Sequence, residues 1–166
     1  MSELVKCNEL PEFDPFKRIG GDFALLGAVS GDRYNAMTVS WGECGFLWNK
    51  SVFTVFVRPQ RYTHELSENT EYLSLSFFDE EYRKALIYFG RTSGRDEDKF
   101  EKSGLHAEVT DGKLIIPEAN LVLVGRIIYK SKIRPEEFVD HDFLSNYKEE
   151  DYHTVYTCEI VEVLKK

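Results

Sequence analysis

Cysteine is scarce: Cys7, Cys44 and Cys158 are the only three in 166 residues. They are too few and too scattered for a disulfide framework or a C-x-x-C metal site, and they read as reduced thiols. Positive charge is also in short supply. Lys and Arg number 21 against 29 Asp and Glu, giving a formal net charge of −8. No basic stripe interrupts that balance, which excludes the usual surface for nucleic acid or for an anionic membrane. No apolar run approaches the roughly 20 residues of a membrane span, and the opening MSELVKCNELPEFDPF lacks the apolar core of a secretory signal. Cytoplasm is the location these absences imply.

Chemistry motifs are missing too. There is no G-x-G-x-x-G after a strand, no G-x-x-x-x-G-K-[ST], no H-E-x-x-H and no G-x-S-x-G, so dinucleotide folds, P-loop enzymes, zincins and α/β-hydrolases are set aside. His64, His106, His141 and His153 are far apart, and the close His-carboxylate pairing considered, His141-Asp142, is of neighbours in sequence. Neighbours in a loop rarely share a metal, so no metal site is expected.

What is present is a globular composition, with 42% hydrophobic residues, 14% aromatics and only five prolines. The length suits one domain spanning residues 1–166. Phe23 to Val29 is an apolar run ended by the turn cluster Ser30-Gly31-Asp32. In Asn35 to Trp41, Met37, Val39 and Trp41 alternate with Thr38 and Ser40, placing both hydroxyls on one face of a strand. Val52 to Val57 and Tyr72 to Phe78 are two further strands. Between them Pro59 and Asn69 bracket a helix of about two turns.

Asp79 reads as the cap of a helix running through Tyr82, Ala85, Leu86 and Phe89 to Gly90. Ser93-Gly94-Arg95-Asp96 has the form of a capping box, opening a further helix that Gly104 closes. Strands return at Leu105 to Val109, at Leu114 to Ile116 after an Asp111-Gly112 hairpin signal, at Asn120 to Tyr129 and at Tyr152 to Leu164. A loop with one helical turn at Pro135 to Val139 separates the last two. This order gives a mainly β chain, a closed or nearly closed antiparallel barrel with two or three helices in its connections.

One constellation suits a phosphate and a flat ring. A helix beginning near Ser93 offers free N–H groups beside Thr92, Ser93, Arg95 and Lys99. Thr38 and Ser40 can add hydroxyls, and Trp41, Trp48, Phe77 and Phe78 can wall a ring. The same residues also fit a plain helix cap with solvated charges and an aromatic core. Composition and spacing leave both readings open.

The segment NAMTVSWGECGFLWNKSVFTVFVRPQRYTHELSENTEYLSLSFF, followed by GRTSGRDEDKF and then by EANLVLVGRIIY and DYHTVYTCEI, resembles the flavin reductase-like, FMN-binding split-barrel family, its flavoredoxin-type members in particular. The likeness runs from about Asn35 to Ile160. It implies an antiparallel split β-barrel of Greek-key-like topology and a homodimer with FMN near the subunit interface. NAD(P)H would be a transient electron donor, and a small molecule or a protein the acceptor. Carried over by position, Asn35, Met37 and Thr38 approach the flavin, Ser40 and Trp41 continue that wall, and Arg58, Arg61 and Thr63 line the cleft. Ser93, Gly94, Arg95 and Lys99 hold the phosphate. His153, in the DYHxxY stretch with Tyr156, is the candidate catalytic residue, positioning a nicotinamide or carrying a proton as a group that titrates near neutrality; a hydrogen-bonded strand histidine is the plainer alternative. Cys158 stands where many relatives have Gly, and Cys44 draws notice as a thiol that Glu43 keeps protonated. The implied activity is an NAD(P)H:flavin oxidoreductase, with a flavoredoxin-like electron carrier or a non-catalytic flavin-binding protein as alternatives.

Overall fold

A computed structural model describes residues 3–166. Ten strands occur in chain order: β1 (Val5–Cys7), β2 (Ala24–Ser30), β3 (Arg33–Val39), β4 (Gly42–Leu47), β5 (Lys50–Val57), β6 (Tyr72–Phe77), β7 (Glu108–Thr110), β8 (Lys113–Ile115), β9 (Leu121–Lys132) and β10 (Thr154–Lys165). Three α-helices join them: α1 (Tyr62–Ser67), α2 (Arg83–Arg91) and α3 (Lys99–Ser103). Eight strands form one antiparallel sheet in the order β3-β2-β6-β9-β10-β5-β4, with β1 on β10, while β7 and β8 pair as a separate hairpin. The curled sheet does not close. Its two edges are β3 and β4, joined covalently through Ser40-Trp41 yet not paired as strands. This is the expected antiparallel barrel, split along one seam.

The strand patterns follow from which faces are covered. Ala24, Leu26 and Ala28 of β2 pack inside the barrel with Phe53, Val55, Leu75, Leu123 and Tyr156. Leu25 and Val29 of the same strand join a second core beneath α2, α3 and the β7–β8 hairpin, with Phe89, Phe100, Val122 and Val124. Strands buried on both faces need apolar residues at successive positions, which is why FALLGAV and NLVLVG read as unbroken runs. Phe77 and Phe78, proposed above as ring walls, are instead buried in these two cores.

Other boundaries moved for local reasons. The helix expected to open at Ser93 opens at Asp98, whose carboxylate accepts the Phe100 and Glu101 N–H groups, and it closes at Gly104 with φ 76°. Ser93 Oγ instead accepts the Arg95 N–H within a turn. β4 was not expected: it alternates exposed and half-buried residues and ends in an unusual two-residue turn, Trp48-Asn49, both at positive φ. Trp48 is thus exposed at a hairpin tip, edge-on to Tyr129. The helix expected after Asp79 begins as a 3-10 turn, Glu80–Tyr82, that runs into α2, while a π-helical turn at Phe16–Gly21 and a 3-10 turn at His141–Asn146 lay beyond the sequence pattern. Among the described residues no helix is long and apolar enough to cross a membrane.

Candidate functional site

The seam between β3 and β4 opens into a cleft of about 320 Å³. β3 supplies Met37 and Thr38, the β3–β4 link supplies Ser40 and Trp41, and β5 leads to Arg58, with Gly90 of α2 and His153 completing the walls. A second cavity of about 160 Å³ adjoins it, for Met37 and Arg61 line both. Asn35, Thr63, Ser93, Gly94 and Lys99 surround that smaller space. Residues scattered from Asn35 to His153 therefore meet in one continuous recess. A larger cavity of about 600 Å³ lies elsewhere, beside the β7–β8 hairpin and the C-terminal end of β10. Its charged groups engage one another, as in Lys113 with Glu162 at 2.9 Å, and it has no aromatic wall.

The open edge of β3 contributes backbone as well as side chains. In the two-residue β2–β3 hairpin the Ser30–Arg33 pair closes the ladder, so every second residue after Arg33 bonds to β2 and the intervening Ala36 and Thr38 turn their N–H and C=O outward. The Ala36 carbonyl on that edge accepts Lys99 Nζ at 2.5 Å. The Thr38 hydroxyl, expected to face a ligand, donates to the Leu86 carbonyl and ties β3 to α2. What Thr38 keeps available is its backbone.

The small cavity gathers two cations, Arg61 and Lys99. Lys99 is buried, 3% exposed, and its ammonium meets only the carbonyls of Ala36 and Phe89 (3.3 Å) and the face of the Phe89 ring. Burial, with the nearby Arg61 guanidinium adding to it, lowers its pKa to about 8. Arg61 stands at the start of α1, and its Nη1 donates to the Gly90 carbonyl at 2.9 Å. Burial lowers its pKa as well. Neither cation has a carboxylate within 4.0 Å among the described residues. In a chain with excess acid, two desolvated cations without counter-charges among the described residues are costly to bury.

Glycine is required beside them. A Cβ on Gly94 would overlap Asn35 Oδ1 and lie 2.9 Å from Asn35 Cγ and 3.0 Å from Tyr62 Cδ1. Asn35 is itself fixed, its Nδ2 donating to the buried Thr63 hydroxyl at 2.8 Å. Thr63 and Asn35 thus hold the cavity's shape. Arg95, placed with the phosphate group above, does not line this space. Its guanidinium lies over the Tyr62 ring and reaches the Gln60 carbonyl (3.1 Å) and Glu65 (3.2 Å) on the outer surface.

At the other end of the cleft, Trp41 is 45% exposed and stands 5.1 Å from the His153 ring. Arg58 is held by Asp151 and by the Asn146 carbonyl (3.0 Å), and stacks over Tyr147. Burial and the Arg58 charge push the His153 pKa down to about 4. The imidazole is therefore neutral at physiological pH and is not the near-neutral titrating group expected from its type. Tyr156, its partner in the DYHxxY stretch, points into the barrel core and donates to Glu68. Burial, reinforced by Glu43, raises the Cys44 thiol to about 11, and burial raises Cys158 to about 12. Both stay protonated.

Three contributors escaped the sequence pattern. Phe23 lines the cleft with φ 72°, a strained conformation for a bulky residue, and carries the Arg83 guanidinium 4.6 Å above its ring. Phe56 borders the same space. Tyr147, behind His153, comes from a polar loop with no periodicity to announce it. Among the described residues no group of three or more His, Cys, Asp or Glu could hold a metal ion.

No curated protein matches the chain. Solved structures share its fold. Flavoredoxin from Methanosarcina acetivorans is 22% identical over 87% of this chain and 68% of its own, with a TM-score of 0.68. An FMN-binding protein from Thermus thermophilus is 21% identical over 100% of this chain and 82% of its own, with a TM-score of 0.68. An NADH:FAD oxidoreductase from Streptomyces globisporus is 15% identical, covering 95% and 88%, with a TM-score of 0.66. The family model described as flavin reductase like domain matches residues 16–165. With that match over most of its length, on a split antiparallel barrel whose seam forms the cleft, the chain belongs to the flavin reductase-like domain family.

Proposed function

We propose that this chain binds FMN along the recess at the barrel's seam and acts as an NAD(P)H:flavin oxidoreductase. The observation that carries the phosphate end is the pair Lys99 and Arg61, desolvated cations without carboxylate partners among the described residues, beside a cavity whose wall at Gly94 has no room for a Cβ against Asn35. Ser93 and the neighbouring backbone border that cavity from the α2–α3 turn. The larger cleft has the walls a flat ring needs: Met37, the outward backbone of Thr38, and Trp41 against His153.

The chemistry FMN supplies there is acceptance of a hydride at N5 and onward transfer of electrons. The protein's part is to hold and orient. Arg58, clamped by Asp151 and Asn146, presents a fixed cation at the cleft. Ser40 and the exposed face of Trp41 border the entrance open to a second planar molecule. We also propose that the chain works as a homodimer. Phe46 and Leu47 at the end of edge strand β4 and Trp48 in the turn that follows are exposed, and a partner would cover them.

Steady-state oxidation of NADH and NADPH in the presence of free FMN tests the activity. Turnover well above the protein-free rate is expected. Protein that retains FMN reducible by dithionite, yet oxidises neither nicotinamide, would be a carrier or a flavin store and not a reductase.

A further inference from the structure

His153 lines the cleft through one edge of its ring, because the other edge is occupied. Its Nδ1 lies 2.8 Å from the Tyr147 hydroxyl, and Tyr147 is itself buried, 8% exposed, behind the cleft wall. Nε2, across the ring from that bond, has no hydrogen-bond partner among the described residues and is not one of the buried atoms sealed from solvent without a partner. It is therefore the polar atom His153 offers to the recess. Around it stand Trp41, the edge of Phe56 and the Tyr147 ring, with Arg58 and Asp151 paired to each other nearby.

The direction of the Tyr147 bond fixes what Nε2 carries. A phenol has one O–H to place, and among the described residues the only acceptor it reaches is His153 Nδ1. If the bond ran the other way, from Nδ1–H to the phenol oxygen, the O–H of this buried tyrosine would have no protein acceptor among the described residues. Tyr147 cannot swing to find another. Its ring is stacked on Tyr152 (centroids 4.8 Å apart, planes at 27°) and covered by the Arg58 guanidinium.

We infer that Tyr147 is a positioning residue that holds His153 in its Nε2–H tautomer, so that the cleft presents a hydrogen-bond donor to the carbonyl oxygen of a neutral, planar carboxamide or aldehyde. This rests on the FMN-site reading for the ligand's second face, though not for the tautomer. An uncharged imidazole N–H beside aromatic walls suits a carbonyl oxygen better than a carboxylate, whose charge would be desolvated with Arg58 already engaged by Asp151. The carboxamide of a nicotinamide belongs to this class.

Two measurements test it. Long-range ¹⁵N–¹H imidazole spectra of the free protein near neutral pH should show His153 as the Nε2–H form alone, and in Tyr147→Phe the Nδ1–H form should become detectable while far-UV circular dichroism is unchanged. An Nδ1–H tautomer in the wild type, or no change in Tyr147→Phe, overturns the inference without touching FMN binding. With FMN-loaded protein, benzamide should bind about tenfold more tightly than ethylbenzene, as expected for one hydrogen bond in a desolvated site. That preference should fall to within about twofold in Tyr147→Phe. Equal binding of the two probes by the wild type, with the tautomer as stated, would remove the carbonyl from the cleft and leave the Tyr147–His153 bond a structural one.

Discussion

Titrating FMN into the protein between about pH 7.5 and 9.5 separates a phosphate-binding lysine from one that is merely buried. Lys99 has its pKa lowered to about 8 by burial and by Arg61. A bound phosphate dianion would favour the charged amine and hold the proton on, so above pH 8 binding must take up a proton. The sign follows: affinity falls as pH rises through 8, by up to tenfold per pH unit, or about 30-fold by pH 9.5. The phosphate itself titrates near pH 6 and stays dianionic throughout this window. In Lys99→Met the slope should vanish, and affinity at about pH 7.5 should drop roughly 10- to 100-fold for loss of a charge-assisted hydrogen bond. Arg95→Ala should change FMN affinity less than about threefold, because its guanidinium is turned to Glu65, where solvent screens it. Quenching of flavin fluorescence reads all three proteins. A flat wild-type profile, or the same slope in Lys99→Met, refutes the assignment of the phosphate to Lys99.

The other expectations concern shape, walls and assembly. Gly94→Ala, whose methyl would overlap Asn35, should cost about 1–3 kcal/mol in urea unfolding, and an unchanged midpoint would mean that the turn relaxes freely. Trp41→Ala removes a half-exposed ring and should leave stability within about 1 kcal/mol while weakening flavin or nicotinamide binding about 2- to 10-fold, checked by calorimetry. In light scattering after gel filtration, Trp48→Glu should shift a dimer towards monomer; a wild type that is monomeric at high concentration contradicts the proposed β4 interface.

How far the sequence could be read depended on which physical signal each residue carried. β2, β6 and β9 announced themselves because burial on one face or both forces a regular apolar pattern, and so did the Asp111-Gly112 hairpin, whose two residues accept positive φ. β4 was invisible, since GECGFL sets only Gly42 and Cys44 towards the core and its turn uses Trp48-Asn49. The sequence pointed to Ser93 as the cap of α3, but the cap is Asp98, five residues later. Asp98 prevails, its carboxylate taking two backbone donors and Glu101 following three residues later. Lys99, Gly94, Arg61 and Met37, grouped in the sequence through the family resemblance, line one cavity. Arg95 turns outward to Glu65, a choice set by tertiary charge pairing that spacing does not encode. Tyr147 and Phe23 carried no local signal because their roles come from chain crossings many residues away.

The central claim is FMN at the seam with a nicotinamide as electron source, and an anaerobic absorbance spectrum of FMN-loaded protein before and after NADH tests it most directly. The account expects a retained flavin band, perturbed from that of free FMN, that bleaches when NADH is added. Protein that passes through a desalting column colourless after incubation with excess FMN, and does not alter the spectrum of added FMN at equilibrium, would contradict it.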